Sequence, residues 1–227
     1  MFGRIAHRYD LANRVLSGGI DIYWRSYLVK AVFGVSATEV LDLASGSGDV
    51  AFALSRGLGP GARILGVDFC QPMVDEALRK KAAEPVRYAN VAFEKGDALA
   101  LGLPDGRFDA VTAAFGLRNM ADRGRFFAEA LRVLRPGGSL FVLEFSRPKA
   151  WAWPAYKLYL TRVLPALAKG LTGDREAYDY LAGSIVAFPG FTAIAGEMAS
   201  AGFEGVRADR LTFGVVALHS GRRPLRL

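Results

Sequence analysis

VLDLASGSGDVA, Val40 to Ala51, runs a hydrophobic strand into a glycine-rich loop and on into a helix. Gly46 and Gly48 permit the tight turn and close backbone approach of a nucleotide site, and Ala51 completes a G-x-G-x-x-A pattern. The acids in the stretch separate the cofactors that share this pattern. A pyrophosphate at the helix N-terminus would face Asp42 and Asp49, whose charges oppose the dipole that attracts phosphate. A ligand with a sulfonium and an ammonium and no phosphate is attracted by the same acids. The stretch therefore predicts S-adenosylmethionine as cofactor and methyl transfer as the chemistry.

Outward from it, the β-rich runs TEVLDLA, ARILGVD, VAFEKGD, FDAVTAAF and GSLFVLEF alternate with helical segments around Val50 to Arg56, Met73 to Ala83 and Arg123 to Leu134. Such alternation implies a doubly wound, Rossmann-like α/β fold. VRADRLTF and GVVALHS close the chain as two more strands, so the expected sheet is seven-stranded and mostly parallel with an antiparallel last strand. Arg135-Pro136-Gly137-Gly138 reads as the turn between the last of the three helices and GSLFVLEF. Residues 1–227 are expected to form one domain, with a helical cover over 1–33 broken at Ser17-Gly18-Gly19, and a helical insertion over 146–190.

The chain is long enough for one sizeable core. Its 29 Lys and Arg against 22 Asp and Glu leave a net charge of +7, which favours anionic partners. No dense basic run or added RNA-binding module accompanies that charge, so nucleic acid is not expected as a partner. The single cysteine, Cys70, excludes an intramolecular disulfide and reads as a small buried filler. The opening MFGRIAHRYDLANRV lacks an apolar signal core, and a cytoplasmic location is expected. From Trp151 to Leu171 tryptophans and tyrosines mix with Lys157, Arg162 and Lys169: either an interfacial segment at an anionic membrane, or a helix that covers a pocket or lines a homodimer contact.

Three acids end successive strands. Asp68 stands 22 residues after Gly46, where a carboxylate accepts from both hydroxyls of an adenosine ribose. Asp97 can accept the adenine amino group while the Ala98 N–H donates to the ring, or it can cap a turn. Ser47 can bind the methionine carboxylate or cap the following helix. His7 and His219 stand apart from other ligand types, so no metal is assigned.

With those residues go FGRIAHRYDLANRVLSGGID, FDAVTAAFGLRNM, LRVLRPGGSLFVLEFSRP, AYDYLAGSIVAFPG and LTFGVVALHSG, and nearly end to end the chain resembles the ubiquinone/menaquinone biosynthesis C-methyltransferases. The resemblance implies a class I methyltransferase fold, S-adenosylmethionine as methyl donor and a prenylated quinol as acceptor. It places Ser47, Asp68, Asp97 and Ala98 at cofactor-contacting positions. Three residues depart from the family pattern: Ser47 stands for threonine, Ala114 for a serine, and Gly183 for an acid.

Methylating a ring carbon calls for an electron-rich quinol oxygen beside it, so the protein must position and polarise the ring. Arg118 and Asn119, after the fourth strand, are the candidates: the guanidinium to stabilise a phenolate or hold a water, the amide to orient the hydroxyl. Arg118 can instead serve a structural pair with Asp122 or Glu144. Tyr9 and Asp10 either close over the pocket from the first segment or cap its helix. Phe115, Phe145, Tyr178, Tyr180, Ile185 and Phe188 are candidates to line the quinol site. The competing readings are a soluble phenol or amine as acceptor, a nicotinamide-dependent oxidoreductase, which the two acids disfavour, and a non-catalytic cofactor-binding scaffold.

Overall fold

A computed structural model describes residues 17–163 and 175–225. Strand β1 (Glu39–Leu43) is buried along its whole length, as a near-continuous apolar run in the middle of a parallel sheet should be. It pairs in parallel with β2 (Arg63–Asp68) on one side and β4 (Phe108–Ala114) on the other. Beyond these lie β3 (Val91–Lys95) and β5 (Leu134–Phe145), also parallel. Strand β7 (Val216–Arg222) runs antiparallel between β5 and the edge strand β6 (Glu204–Leu211), giving the order β3-β2-β1-β4-β5-β7-β6. The mostly parallel, seven-stranded expectation holds.

The chain winds outward from β1 to β3 and then returns to β4, so the crevice for a ligand opens at the carboxyl ends of β1 and β4. The first residues past those two ends, Ala44 and Phe115, both have positive φ, 52° and 57°. Non-glycine residues held there store strain of about 1–3 kcal/mol each, a pattern that concentrates at functional sites.

Helices α2 (Asp49–Leu58), α3 (Gln71–Ala83) and α4 (Arg123–Val133) connect the strands. One core packs Trp24, Phe52 and Phe93 on one face of the sheet; the other packs Leu41, Phe126 and Phe127 on the opposite face. Leu41 is fully buried, and truncating such a side chain to alanine costs about 2–5 kcal/mol. Within the cover, α1 (Ile20–Phe33) buries Trp24, Leu28 and Val32, spaced by four residues, and turns Tyr23 outward. The insertion supplies α5 (Trp153–Leu158), a π-helical turn at Tyr159–Val163, and α6 (Arg175–Ala187), before α7 (Phe191–Ser200).

Two local expectations are corrected. Arg135 to Gly138 lie inside β5 as a bulge: Leu134 pairs with Phe108 and Ser139 with Ala110, so four residues stand opposite Asp109. Gly137 takes the left-handed backbone that this excursion needs, at φ 79°. Cys70 is not a buried filler either; half-buried, it occupies the N-cap of α3.

Candidate functional site

A cavity of about 940 Å³ opens at the carboxyl edge, at the upper end of the size range for small-molecule sites. The glycine loop forms its floor. Gly46, at φ 55°, has open space where a Cβ would stand, whereas a Cβ on Gly48, at φ 88°, would lie 2.6 Å from Phe93. Gly46 therefore leaves room for a ligand, and Gly48 makes room for the core. Ser47 is buried and lines the cavity, one residue before Gly48, the N-cap of α2.

Asp42 is the most informative group of the floor. Its Oδ1 accepts from the Thr112 hydroxyl at 2.7 Å, and its buried Oδ2 has no hydrogen-bond partner among the described residues. Burial pushes this carboxyl up to about 7, opposed by the Thr112 hydrogen bond; Asp68 raises it further, while Arg25 and the Ala51 backbone N–H lower it. An acid of that kind is suited to an incoming cation. Asp49, by contrast, does not present a bare charge to a pyrophosphate: Arg25 Nη1 and Lys80 Nζ each lie 3.0 Å from its carboxylate and balance it. The preference for a cation thus rests on Asp42, which an incoming positive charge would ionise.

Asp68 lines the cavity with both oxygens already engaged, Oδ2 by Gly46 N–H and Oδ1 by Cys70 N–H, each at 2.8 Å. It ties the end of β2 to the glycine loop, and each oxygen keeps a further lone pair for a ligand. Asp97 accepts from Leu99 N–H at 2.9 Å, the turn role, and its side chain still lines the cavity beside buried Ala98.

The far wall is aromatic and carries one cation. Arg118, in the 3₁₀ turn Leu117–Asn119, donates through Nη1 to Glu144 Oε1 at 2.9 Å and to the Phe115 carbonyl. Its guanidinium also lies 5.3 Å from the Phe145 ring centroid, and its buried Nε has no partner among the described residues. Of the two structural partners considered, Glu144 is the one used; Asp122 instead caps α4 by accepting from Arg125 N–H at 2.9 Å. Asn119 lines the cavity and accepts from the Tyr180 hydroxyl at 3.3 Å.

Phe115, Phe145 and Ile185 line the cavity as expected. Tyr180 reaches it through Asn119, and Phe188 lies away from it, against the core beneath Arg123. Tyr9, Asp10 and the side chain of Tyr178 fall outside the described residues. His219 is structural: buried, with Nε2 2.9 Å from the Phe191 carbonyl oxygen. Among the described residues no cluster of three metal-ligating side chains occurs.

Three contributors had no site role of their own assigned from the sequence. Arg25 joins Asp21, 2.6 Å away, to Asp49 and so pins α1 over the glycine loop. Trp24 donates from Nε1 to the Thr212 hydroxyl at 2.8 Å and packs on Phe115 and Phe145, closing the aromatic wall. Tyr156, from α5, lines the cavity near Arg118 and Glu144; burial holds its hydroxyl well above the usual tyrosine range, so it serves as a donor. The helix-covering alternative for the aromatic stretch is thereby realised for Tyr156 and Tyr159.

Comparison with known proteins agrees with this geometry. A relative from Thermus thermophilus named demethylmenaquinone methyltransferase is 48% identical over 225 residues, 99% of this chain and 100% of that protein. A Geobacter sulfurreducens protein named ubiquinone/menaquinone biosynthesis C-methyltransferase UbiE is 41% identical over 228 residues, 100% of this chain and 88% of its own. Among solved structures, a SAM-dependent methyltransferase from Thermotoga maritima shares the fold at a TM-score of 0.67 and 20% identity, over 98% of this chain and 97% of that one. One from Aquifex aeolicus does so at 0.59 and 17%, over 86% and 89%. The model of the ubiE/COQ5 methyltransferase family matches residues 1–223. Matched along nearly its whole length, the chain belongs to the ubiE/COQ5 methyltransferase family.

Proposed function

We propose that the protein transfers the methyl group of S-adenosylmethionine to a ring carbon of a prenylated quinol, with demethylmenaquinol as the acceptor and menaquinol as the product. The observation that carries this reading is the two-ended cavity: acids and a glycine loop at one end, aromatic rings and a buried arginine at the other. The buried Asp42 Oδ2, which has no hydrogen-bond partner among the described residues, fits a ligand that brings a positive charge and no phosphate. When bound, the cofactor supplies an electrophilic methyl group. The names of the Thermus and Geobacter relatives favour a quinone precursor as the methyl acceptor.

The chain's own residues then have separable tasks. Asp42, Ser47 and the Gly46 backbone hold the amino-acid end of the cofactor, and Asp68, Asp97 and Ala98 hold its nucleoside. Arg118 stabilises negative charge on the quinol oxygen; it stays protonated, so it does not take the proton itself. Asn119 orients the ring hydroxyl. Phe115, Phe145 and Trp24, with centroids 4.9 to 6.2 Å apart, form an apolar wall that excludes water from the reacting ring. The isoprenoid tail remains in the membrane, and the enzyme works from the cytoplasm at an anionic lipid surface.

The test is transfer from labelled S-adenosylmethionine to reduced demethylmenaquinone and to a demethylated ubiquinone precursor, side by side in detergent. Faster labelling of the naphthoquinol is expected. Turnover of a tail-less phenol or amine with neither quinol labelled would overturn the reading.

A further inference from the structure

Two aromatic side chains meet on the surface beside the cavity. Trp151 is 69% exposed and Phe213 65% exposed, and their rings make an edge-to-face contact with centroids 5.5 Å apart. They come from segments far apart in the chain, joined where Lys149 N–H donates to the Phe213 carbonyl at 3.1 Å. Burial in the protein's own core does not account for the pair.

The backbone holds Phe213 outward at a cost. Thr212 and Phe213 are consecutive non-glycine residues with φ of 48° and 57°, and Gly214 follows at 92°. For a β-branched residue and a bulky one this region is strongly disfavoured. The left-handed run sends the two side chains opposite ways. Thr212 faces the cavity, its hydroxyl accepting from Trp24, and Phe213 faces out against Trp151. The knob is thus one residue away from the cavity wall.

Its charge selects the partner. From Ser146 to Val163 the chain carries Arg147, Lys149, Lys157 and Arg162 and no acid. Arg210 stands beside Gly214 on the other segment, and the one acid near it on β6, exposed Asp209, is engaged by the Tyr27 hydroxyl. Leu158 and Val163 add exposed apolar surface to the same cationic stretch. The Arg147 guanidinium lies over the Trp153 ring and that of Arg210 over the Phe191 ring, 5.0 and 4.7 Å from the centroids. Exposed tryptophan and phenylalanine on segments that carry such cations suit the headgroup layer of an anionic bilayer, where the rings leave water and the cations meet phosphate. A second copy of the chain would bring like charge against like charge.

We infer that the Trp151–Phe213 pair, with Arg147, Lys149 and Arg210 on the two segments that carry it, is an anchor that docks the mouth of the cavity on an anionic lipid surface. This rests on the prenylated-quinol reading only for its purpose; the docking itself needs no substrate. The test is flotation with vesicles of phosphatidylglycerol and phosphatidylcholine against phosphatidylcholine alone, for the wild type, W151A and Phe213→Gly. The glycine variant removes the ring while relieving the strained φ, so it should melt no lower than wild type yet partition about tenfold less onto the anionic vesicles. Both variants should keep the wild-type rate on a tail-less quinol. Failure of the wild type to float, flotation of both variants equal to that of the wild type, or loss of a dimer with flotation unchanged would each overturn the anchor. Methylation of long-chain quinol in detergent is scored separately, so a failed anchor and a failed acceptor assignment give different results.

Discussion

Arg118 and Glu144 form an ion pair closed off from solvent: Nη1 lies 2.9 Å from Oε1, with side chains 3% and 0% exposed. Glu144 also accepts from the backbone N–H of Arg118 at 3.2 Å and of Phe145 at 2.9 Å, so one carboxylate fixes both the turn and the guanidinium. Removing one partner of a buried pair leaves the other charge uncompensated, at about 3–5 kcal/mol. Glu144→Ala should lower stability by that order in denaturant unfolding. Arg118→Leu should reduce kcat by about 10²–10³-fold, the scale of losing one stabilising donor, with cofactor affinity within about twofold. An unchanged kcat would take Arg118 out of the chemistry.

Asp42 sets a pH dependence whose sign follows from burial. Its carboxyl sits near 7 in the folded protein, against 3.8 as a free side chain, so the folded state holds a proton that the unfolded chain has released. The stability this contributes is complete below about pH 4 and is lost as pH rises through about 7. Without cofactor, the wild type should lose stability over that window relative to Asp42→Asn, by about 4 kcal/mol at pH 8. Cofactor affinity should move the other way, rising between pH 6 and 8 in the wild type and staying flat in the variant, as titration calorimetry would record. Parallel profiles for the two proteins would contradict the assignment.

The two glycines of the loop should separate by consequence. Gly46→Ala meets open space, so its cost is backbone strain of about 1 kcal/mol, while its methyl enters the cavity and should cut cofactor affinity tenfold or more. Gly48→Ala drives a Cβ to within 2.6 Å of Phe93 and 2.9 Å of Phe52, and should cost about 3 kcal/mol in stability before any ligand is added. Melting curves with and without cofactor distinguish the cases; equal melting temperatures for both variants would contradict the division.

Much of this was legible in the residues themselves. The β/α alternation predicts the parallel strands, and the acids ending β1, β2 and past β3 line one cavity because strand ends of a doubly wound sheet share an edge. Partners across the fold were not legible. Asp49 reads as a bare charge until α1 and α3 bring Arg25 and Lys80 to it. Glu144 stands 26 residues from Arg118, within a strand whose pattern reports a face and not a partner. The Arg135–Gly138 bulge is hidden likewise, because proline and two glycines signal a turn whether or not the chain rejoins its strand. Trp24 reads as an ordinary aromatic and Tyr156 as one ring of a stretch with two readings, since periodicity does not say which ring borders a cavity.

Methyl transfer to carbon at a quinol ring leaves its record in the structure of the product. Reduced demethylmenaquinone carrying deuterium at the open ring carbon would be incubated with enzyme and S-adenosylmethionine, and the product examined by mass spectrometry and NMR. Loss of the deuterium with a methyl group on that carbon is the predicted result. A methyl ether with the deuterium retained would contradict it.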